Sequence, residues 1–311
     1  MNPGEKEMSA KKFDVAVVGN VGVDTNIYLR GRDIDSALES NFTENLDCVG
    51  QAGGYASRGF ARLGKRTTFI GCVGNDHNGR FVRDELARDG IDLRGLFLDP
   101  AGTGRSINLM HRDGRRKNFY DGKGHMSLDP DRGICEAILT EARLAHFNIP
   151  NWARRLLPHA KSAGMIISCD LQDVVTADDD YRRQFVEHAD MIFFSAVNHA
   201  SPEGIIGDFL GSNPGRIVIA GMGAKGCALG TRDGIRFFEP VEMDAPVVDT
   251  NGAGDALAVG FLSSYVLDGF SMTDSIRRGQ IAARYACTQK ASSSSLITPE
   301  KLEHYFRRLS A

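Results

Sequence analysis

The stretch "APVVDTNGAGDALAVGF", residues 245–261, sets a turn of very small residues between an apolar run and an apolar helix, with Asp249 and Asp255 at its ends. Bare residues at a helix start let backbone N–H groups approach an anion, and the helix dipole adds partial positive charge there. Gly252, Ala253 and Gly254 fit that geometry, which puts Asp255 in the first turn beside the anion. A carboxylate so placed accepts the proton of a hydroxyl attacking a phosphoryl group, while the N–H groups stabilise the transferring oxygens. The other reading of the same residues is a close-packed turn whose acid serves as a helix-start charge. The rest of the chain decides between them.

Short β-branched runs alternate with helical patterns. "FDVAVVG", "RTTFIGCVG", "LAHFNI", "GMIISCD", "MIFFS" and "RIVIAG" read as buried strands of a mostly parallel sheet. Between them "YASRGFARLG" and "GRFVRDELARDG" carry apolar residues at helical spacing and end in a glycine suited to a left-handed cap. The alternation is that of an α/β protein. In "TADDDYRRQF", Thr176 ahead of three acids reads as a capped helix start. Two segments break the pattern, about 25–50 and 103–122, and the second alternates like a hairpin turned at Asp113-Gly114. They read as a small separate sheet, suited to a lid over a site or to a plain surface hairpin.

Composition bounds the function. A chain of 311 residues with 42% hydrophobic content and a net charge of −3 is an ordinary globular chain without the basic field that attracts nucleic acid. Six scattered cysteines suggest reduced thiols, the histidines lack metal-ligand spacing, and no stretch approaches a membrane span. A polar amino terminus without a signal-peptide core adds the expectation of a cytoplasmic protein: a flexible tail over residues 1–12, then a single domain over 13–311.

Further segments point the same way as the opening stretch. "VVGNVGVD" ends a first strand with Asp24, and "GGYASRGFARLG" places Gly53 and Gly54 at a helix start, so a carboxylate and bare backbone can meet the hydroxyls of a polyol. Together with "GCVGNDHNG" at 71–79, "TG" at 103–104, "GAKG" at 223–226 and "DTNGAGD" at 249–255, these motifs occur in an order that resembles the ribokinase-like (PfkB-type) sugar and nucleoside kinases. The resemblance covers nearly the whole chain, and its last motif is the most specific.

The resemblance implies a three-layer α/β fold with a small β-sheet lid, and transfer of the ATP γ-phosphate to a hydroxyl, usually a primary alcohol, with Mg2+. It makes Asp255 the general base, the backbone of Gly252, Ala253 and Gly254 the anion hole, and Asp24, Gly53 and Gly54 holders of the substrate. The turn from Gly221 through Gly223 to Gly226 would lie along the nucleotide, with the loop "KASSSS" forming part of the adenine pocket. Two positions depart from the family pattern. Arg58 stands where asparagine is usual, suited to an anionic substrate group or to covering a helix face. "SAVN", ending in Asn198, replaces an "NxxE" stretch, leaving an oxygen donor toward magnesium but no charge. Asp249 matches a family site for a monovalent cation, with Asn251 in place of the usual second threonine, so K+ activation is an expectation, as is a homodimer through the lid. The partner expected is a small sugar or nucleoside, with a sugar phosphate left open.

Two rivals deserve weighing. "GMGAKG" satisfies a dinucleotide-binding pattern, but "CALGTRDGIRFFEP" after it reads as strand and hairpin, where that fingerprint needs a helix. The alternative function is a non-catalytic sugar or nucleotide sensor on the same fold.

Overall fold

A computed structural model describes residues 11–112 and 115–310. The large sheet has nine strands in the spatial order β13 (Gly234–Phe238), β12 (Cys227–Thr231), β11 (Ile217–Gly221), β10 (Met191–Ser195), β9 (Ile166–Asp173), β8 (Ala142–Phe147), β1 (Phe13–Val18), β4 (Thr67–Val73) and β5 (Asp92–Leu98). Neighbours from β11 to β5 pair in parallel, while β11–β12 and β12–β13 are antiparallel. The six apolar runs read as strands are all strands of this sheet.

Both faces are covered, which is why these strands are apolar throughout. On β1, Val15 and Val17 join the core under α1 (Ala52–Arg62), α2 (His77–Arg88), α7 (Ala253–Leu262), α8 (Met272–Ala286) and α9 (Pro299–Ser310). Ala16 and Val18 face the core under α3 (Arg132–Thr140), α4 (Leu157–Ser162), α5 (Arg183–His188) and α6 (Glu203–Ser212). Gly64 and Gly90 end α1 and α2 at φ 76° and 74°, the left-handed caps expected. Thr176 does not cap a helix. α5 begins only at Arg183, and Asp179 organises the turn before it, accepting the Tyr181 N–H at 2.8 Å and pairing with Arg182.

The second sheet has the order β3 (Thr43–Gly50), β2 (Gly22–Leu29), β6 (Gly104–Met110), β7 (Arg116–Asp121). β6 and β7 pair antiparallel, and the proposed turn residues Asp113 and Gly114 lie outside the described residues, as does most of the expected 1–12 tail. Asn20 bonds Tyr120 of this sheet at 2.7 Å, and Lys290 pairs with Glu44.

From β1 the chain builds outward through β4 and β5, then crosses to β8 and builds the other way. In open α/β sheets the crevice at such a reversal, beyond the carboxyl ends of the strands, is where ligands bind. Gly19, Asn20 and Asn148 occupy it. Asn148 donates its N–H to Val18 at 2.9 Å, and both polar atoms of its buried carboxamide have no protein partner.

Candidate active site

Gly252 precedes α7 with φ 73°, and a Cβ there would stand 2.4 Å from the Tyr55 ring, so the turn needs glycine on two counts. No side chain caps α7, which leaves the amides of its first turn open to an anion. Asp255 sits in that turn with Oδ1 buried and unpartnered. Burial pushes its carboxyl well above the usual range; the charge of Asp170 adds to the rise, and that of Asp24 contributes less, against the pull of Arg116.

Asp170 is the residue that sequence reasoning missed. It ends a run read simply as a strand, and its side chain is buried at the carboxyl end of β9, where Oδ1 accepts the Gln172 N–H at 2.9 Å. Burial pushes its carboxyl up to about 6. An acid closing an otherwise apolar strand run was the available signal.

Asp24 lies on β2, buried, with Oδ2 accepting the Tyr55 hydroxyl at 3.1 Å and Oδ1 unpartnered. Burial raises its carboxyl too, and the polar groups of Tyr55, Ser106 and the Gln51 amide oppose the rise. Gly50 makes the close approach possible, since a Cβ there would stand 2.0 Å from Asp24 Cγ.

The glycine pair lies at a helix start, as expected. The helix begins at Ala52 with Gln51 as its N-cap, so Gly53 and Gly54 lie inside its uncapped first turn. Their missing side chains serve packing: a Cβ on Gly53 would meet Asn20 O at 2.5 Å, and one on Gly54 would crowd Val49 and Val21. Arg58 is turned away from Asp24 into a buried ion pair, bonding Asp89 at 2.5 Å and Glu85 at 3.2 Å. It is not the substrate contact expected. The groups acting on Asp24 are the side chains of Tyr55, Ser106 and Asn108 and the main-chain amide of Gln51.

The small sheet grips the turn that precedes α7. Asn118, Asn108, Asn26 and Asn251 form a ladder of carboxamide bonds at 2.8, 3.1 and 3.0 Å, running from β7 across the sheet to the residue before Gly252. Arg116 donates to the other end of Asn251, at Oδ1. Asp249 spends Oδ2 on the Tyr28 hydroxyl at 2.5 Å and Oδ1 on the Asn251 N–H at 2.8 Å. The donors expected to hold a monovalent cation are thus engaged, and among the described residues no group of three or more His, Cys, Asp or Glu is arranged for a metal.

The serine run is not a loose loop. Ser292 and Ser293 are buried, Ser292 donating to Asn251 O at 2.8 Å and Ser293 to Val49 O. On the far side, Gly221 ends β11, one 3-10 turn spans Gly223–Lys225, and Gly223 and Gly226 take φ 59° and 85°. The antiparallel β12–β13 hairpin follows, as expected, so the helix a dinucleotide fingerprint requires is not there. Asn198 is exposed just beyond β10, with Nδ2 3.4 Å from Val174 O.

An unpartnered carboxylate oxygen in the first turn of a helix without a side-chain cap, after a turn bonded to a small sheet, is an arrangement suited to a phosphotransferase for hydroxyl acceptors. The comparisons agree. The profile of the pfkB family carbohydrate kinases matches residues 12–299, and the chain belongs to that family. It is 31% identical to the acarbose 7(IV)-phosphotransferase of an Actinoplanes species, over 91% of this chain and 95% of that one. The structure of a microbiome-derived acarbose kinase superposes with TM-score 0.86 at 29% identity, covering 95% of this chain and 99% of that chain. An Escherichia coli ribokinase II in complex with ATP and Mg2+ shares the fold, with TM-score 0.77, 21% identity and coverage of 95% and 99%. The protein is therefore an ATP-dependent carbohydrate kinase with the ribokinase fold, not a sensor, and kinases of this family work with ATP and Mg2+.

Proposed function

We propose that Asp255 is the general base of this kinase and that the N–H groups of Gly252, Ala253 and Gly254 hold the transferring phosphoryl oxygens. The observation that carries this is Asp255 Oδ1, buried and unpartnered in the first turn of a helix without a side-chain cap. Asp24 holds the acceptor so that one hydroxyl lies against Asp255. Proton transfer to Asp255 then accompanies attack on the γ-phosphoryl group, and the small sheet acts as the lid that keeps water from competing.

The acceptor in this reading is a free sugar or pseudo-sugar. Asp24, Asp170 and Asp255 make the centre strongly acidic, and the guanidinium of Arg116, the cation beside it, is bonded to Asn251. A phosphorylated acceptor would bring two more negative charges against those carboxylates. The likeness to two acarbose kinases supports an acarbose-like oligosaccharide. Nucleotide lies on the side of Gly221, Gly223 and Gly226. Magnesium suits hard oxygen donors, so the Asp170 carboxylate or the Asn198 carboxamide would hold it or its waters, where it would neutralise phosphate charge. K+ has no place in this reading, and the supply of ATP places the reaction in the cytoplasm.

The test is ADP release from ATP and Mg2+ with acarbose, maltose, ribose, fructose, 2-dehydro-3-deoxygluconate, inosine and ribose 1-phosphate, on wild type and Asp255→Asn. Turnover with neutral sugars that vanishes in the variant is the expected result. Turnover confined to ribose 1-phosphate would overturn the acceptor class.

A further inference from the structure

Gln51 has a backbone that its side chain makes costly. At φ 63° and ψ 158° it occupies a region that glycine enters freely and other residues avoid. Its carboxamide lies over the paired glycines Gly22 and Gly104 of β2 and β6, where added Cβ atoms would stand 2.9 and 2.6 Å from Nε2. Two strands have given up side chains at the place where this one lies. Yet Nε2 is buried and bonded to nothing in the protein. A strained residue, a slot cleared by two glycines and an idle buried donor are all costs to the folded chain.

What offsets them involves Asp24, two residues beyond Gly22 on β2 and so on the same face of the small sheet. Asp24, bonded to Tyr55, has an oxygen with no hydrogen-bond partner, and the Gln51 main-chain amide acts on the same carboxylate. An unfilled donor and an unfilled acceptor on one face match a sugar: one oxygen takes the Gln51 proton, and another hydroxyl gives its proton to Asp24.

We infer that Gln51 is a specificity-determining residue for the acceptor, its Nε2 donating to a hydroxyl or ring oxygen of the sugar that Asp24 holds. The inference rests on the carbohydrate-kinase reading of this site. It makes Gln51 a binding group remote from the reacting hydroxyl, so its removal weakens acceptor binding more than it slows transfer.

The experiment uses Gln51→Gly, which removes the carboxamide and relieves the backbone, and Gln51→Leu, which keeps the bulk without the amide. Steady-state kinetics are measured with whichever of acarbose, maltose, ribose and fructose turns over fastest, together with Tm. Gln51→Gly should have an unchanged or higher Tm, an acceptor KM raised roughly 10-fold or more, and an ATP KM within about twofold of wild type. Gln51→Leu should show the same KM rise. An acceptor KM unchanged in Gln51→Gly overturns the inference, as does a lower Tm without a KM change, the mark of a merely structural side chain. If wild type itself releases no acceptor-dependent ADP, the kinase reading fails and takes this inference with it, which is a separate and recognisable result.

Discussion

The Tyr28 hydroxyl, on β2 of the small sheet, donates to Asp249 Oδ2 at 2.5 Å across 221 residues of chain, and the hydroxyl oxygen itself accepts the Ala291 N–H at 2.8 Å. One hydroxyl thus joins the small sheet, the segment opening the turn before α7 and the late serine loop. Ala291 takes φ 47° to make its bond, so the loop is shaped around this contact.

Tyr28→Phe leaves a buried carboxylate oxygen and a buried N–H without their partner. The expected loss of stability is about 1–3 kcal/mol, with a lower kcat because the turn before Gly252 loses an anchor. Urea denaturation and steady-state kinetics check both. A variant as stable and as active as wild type would mean that Asn251 and Arg116 hold the turn unaided.

Asp249 has both oxygens engaged and Asn251 Oδ1 is bonded to Arg116, so the expected outcome is a turn that works without a bound monovalent cation. Rates in potassium chloride and in tetramethylammonium chloride at equal ionic strength should agree. Strong activation by potassium would show that a cation displaces one of these bonds.

Asp255→Asn should lower kcat by roughly 10²–10⁴-fold, the usual contribution of a general base, while nucleotide binding and fold remain. Its Tm should be equal or higher at neutral pH, since the substitution removes a carboxylate that burial disfavours. Residual kcat close to wild type would remove Asp255 from the base role.

Asp170 sets the pH response. Its negative charge raises the carboxyl of Asp255, so Asp170→Asn should move the acidic limb of the kcat/KM profile to lower pH. Stability carries the same sign. A carboxyl raised to about 6 favours the folded state most at pH values below its ordinary range, and that advantage is lost as pH rises through about 6. Asp170→Asn should therefore stabilise the protein more at pH 8 than at pH 5. A limb that stays in place or moves upward refutes the coupling.

Arg58→Met should cost stability without touching the acceptor. It leaves Asp89 without its cation and Glu85 with Arg88 alone, and these carboxylates are about one-fifth exposed, 21% and 19%. The loss is then about 2 kcal/mol, below that of a fully buried pair. An acceptor KM raised several-fold would return Arg58 to the site.

The strands, the glycine caps of the first two helices and the position of Asp255 ahead of an apolar helix were legible in the chain. Each depends on residues a few places apart, through alternation, helical spacing or the conformational freedom of glycine. The second sheet was legible as two segments out of step with the rest, the later one alternating like a hairpin. The start of the first helix was legible at its glycine pair, but not the conformation of Gln51 ahead of it, which no propensity for glutamine announces.

Fates that depend on distant partners were equally hidden. Arg58 reads like any helix arginine until the second helix brings Glu85 and Asp89 against it, and "SSSS" reads as solvent loop until Asn251 and Val49 offer buried carbonyls. Asp170 closes an apolar run like many acids, and only in the folded chain does its charge act on the buried carboxyl of Asp255. Local pattern determined which elements form, since their free energy is set by near neighbours. Only the tertiary structure decided which charges pair and which polar atoms stay open to a sugar, because those energies depend on segments that meet only when the chain is folded.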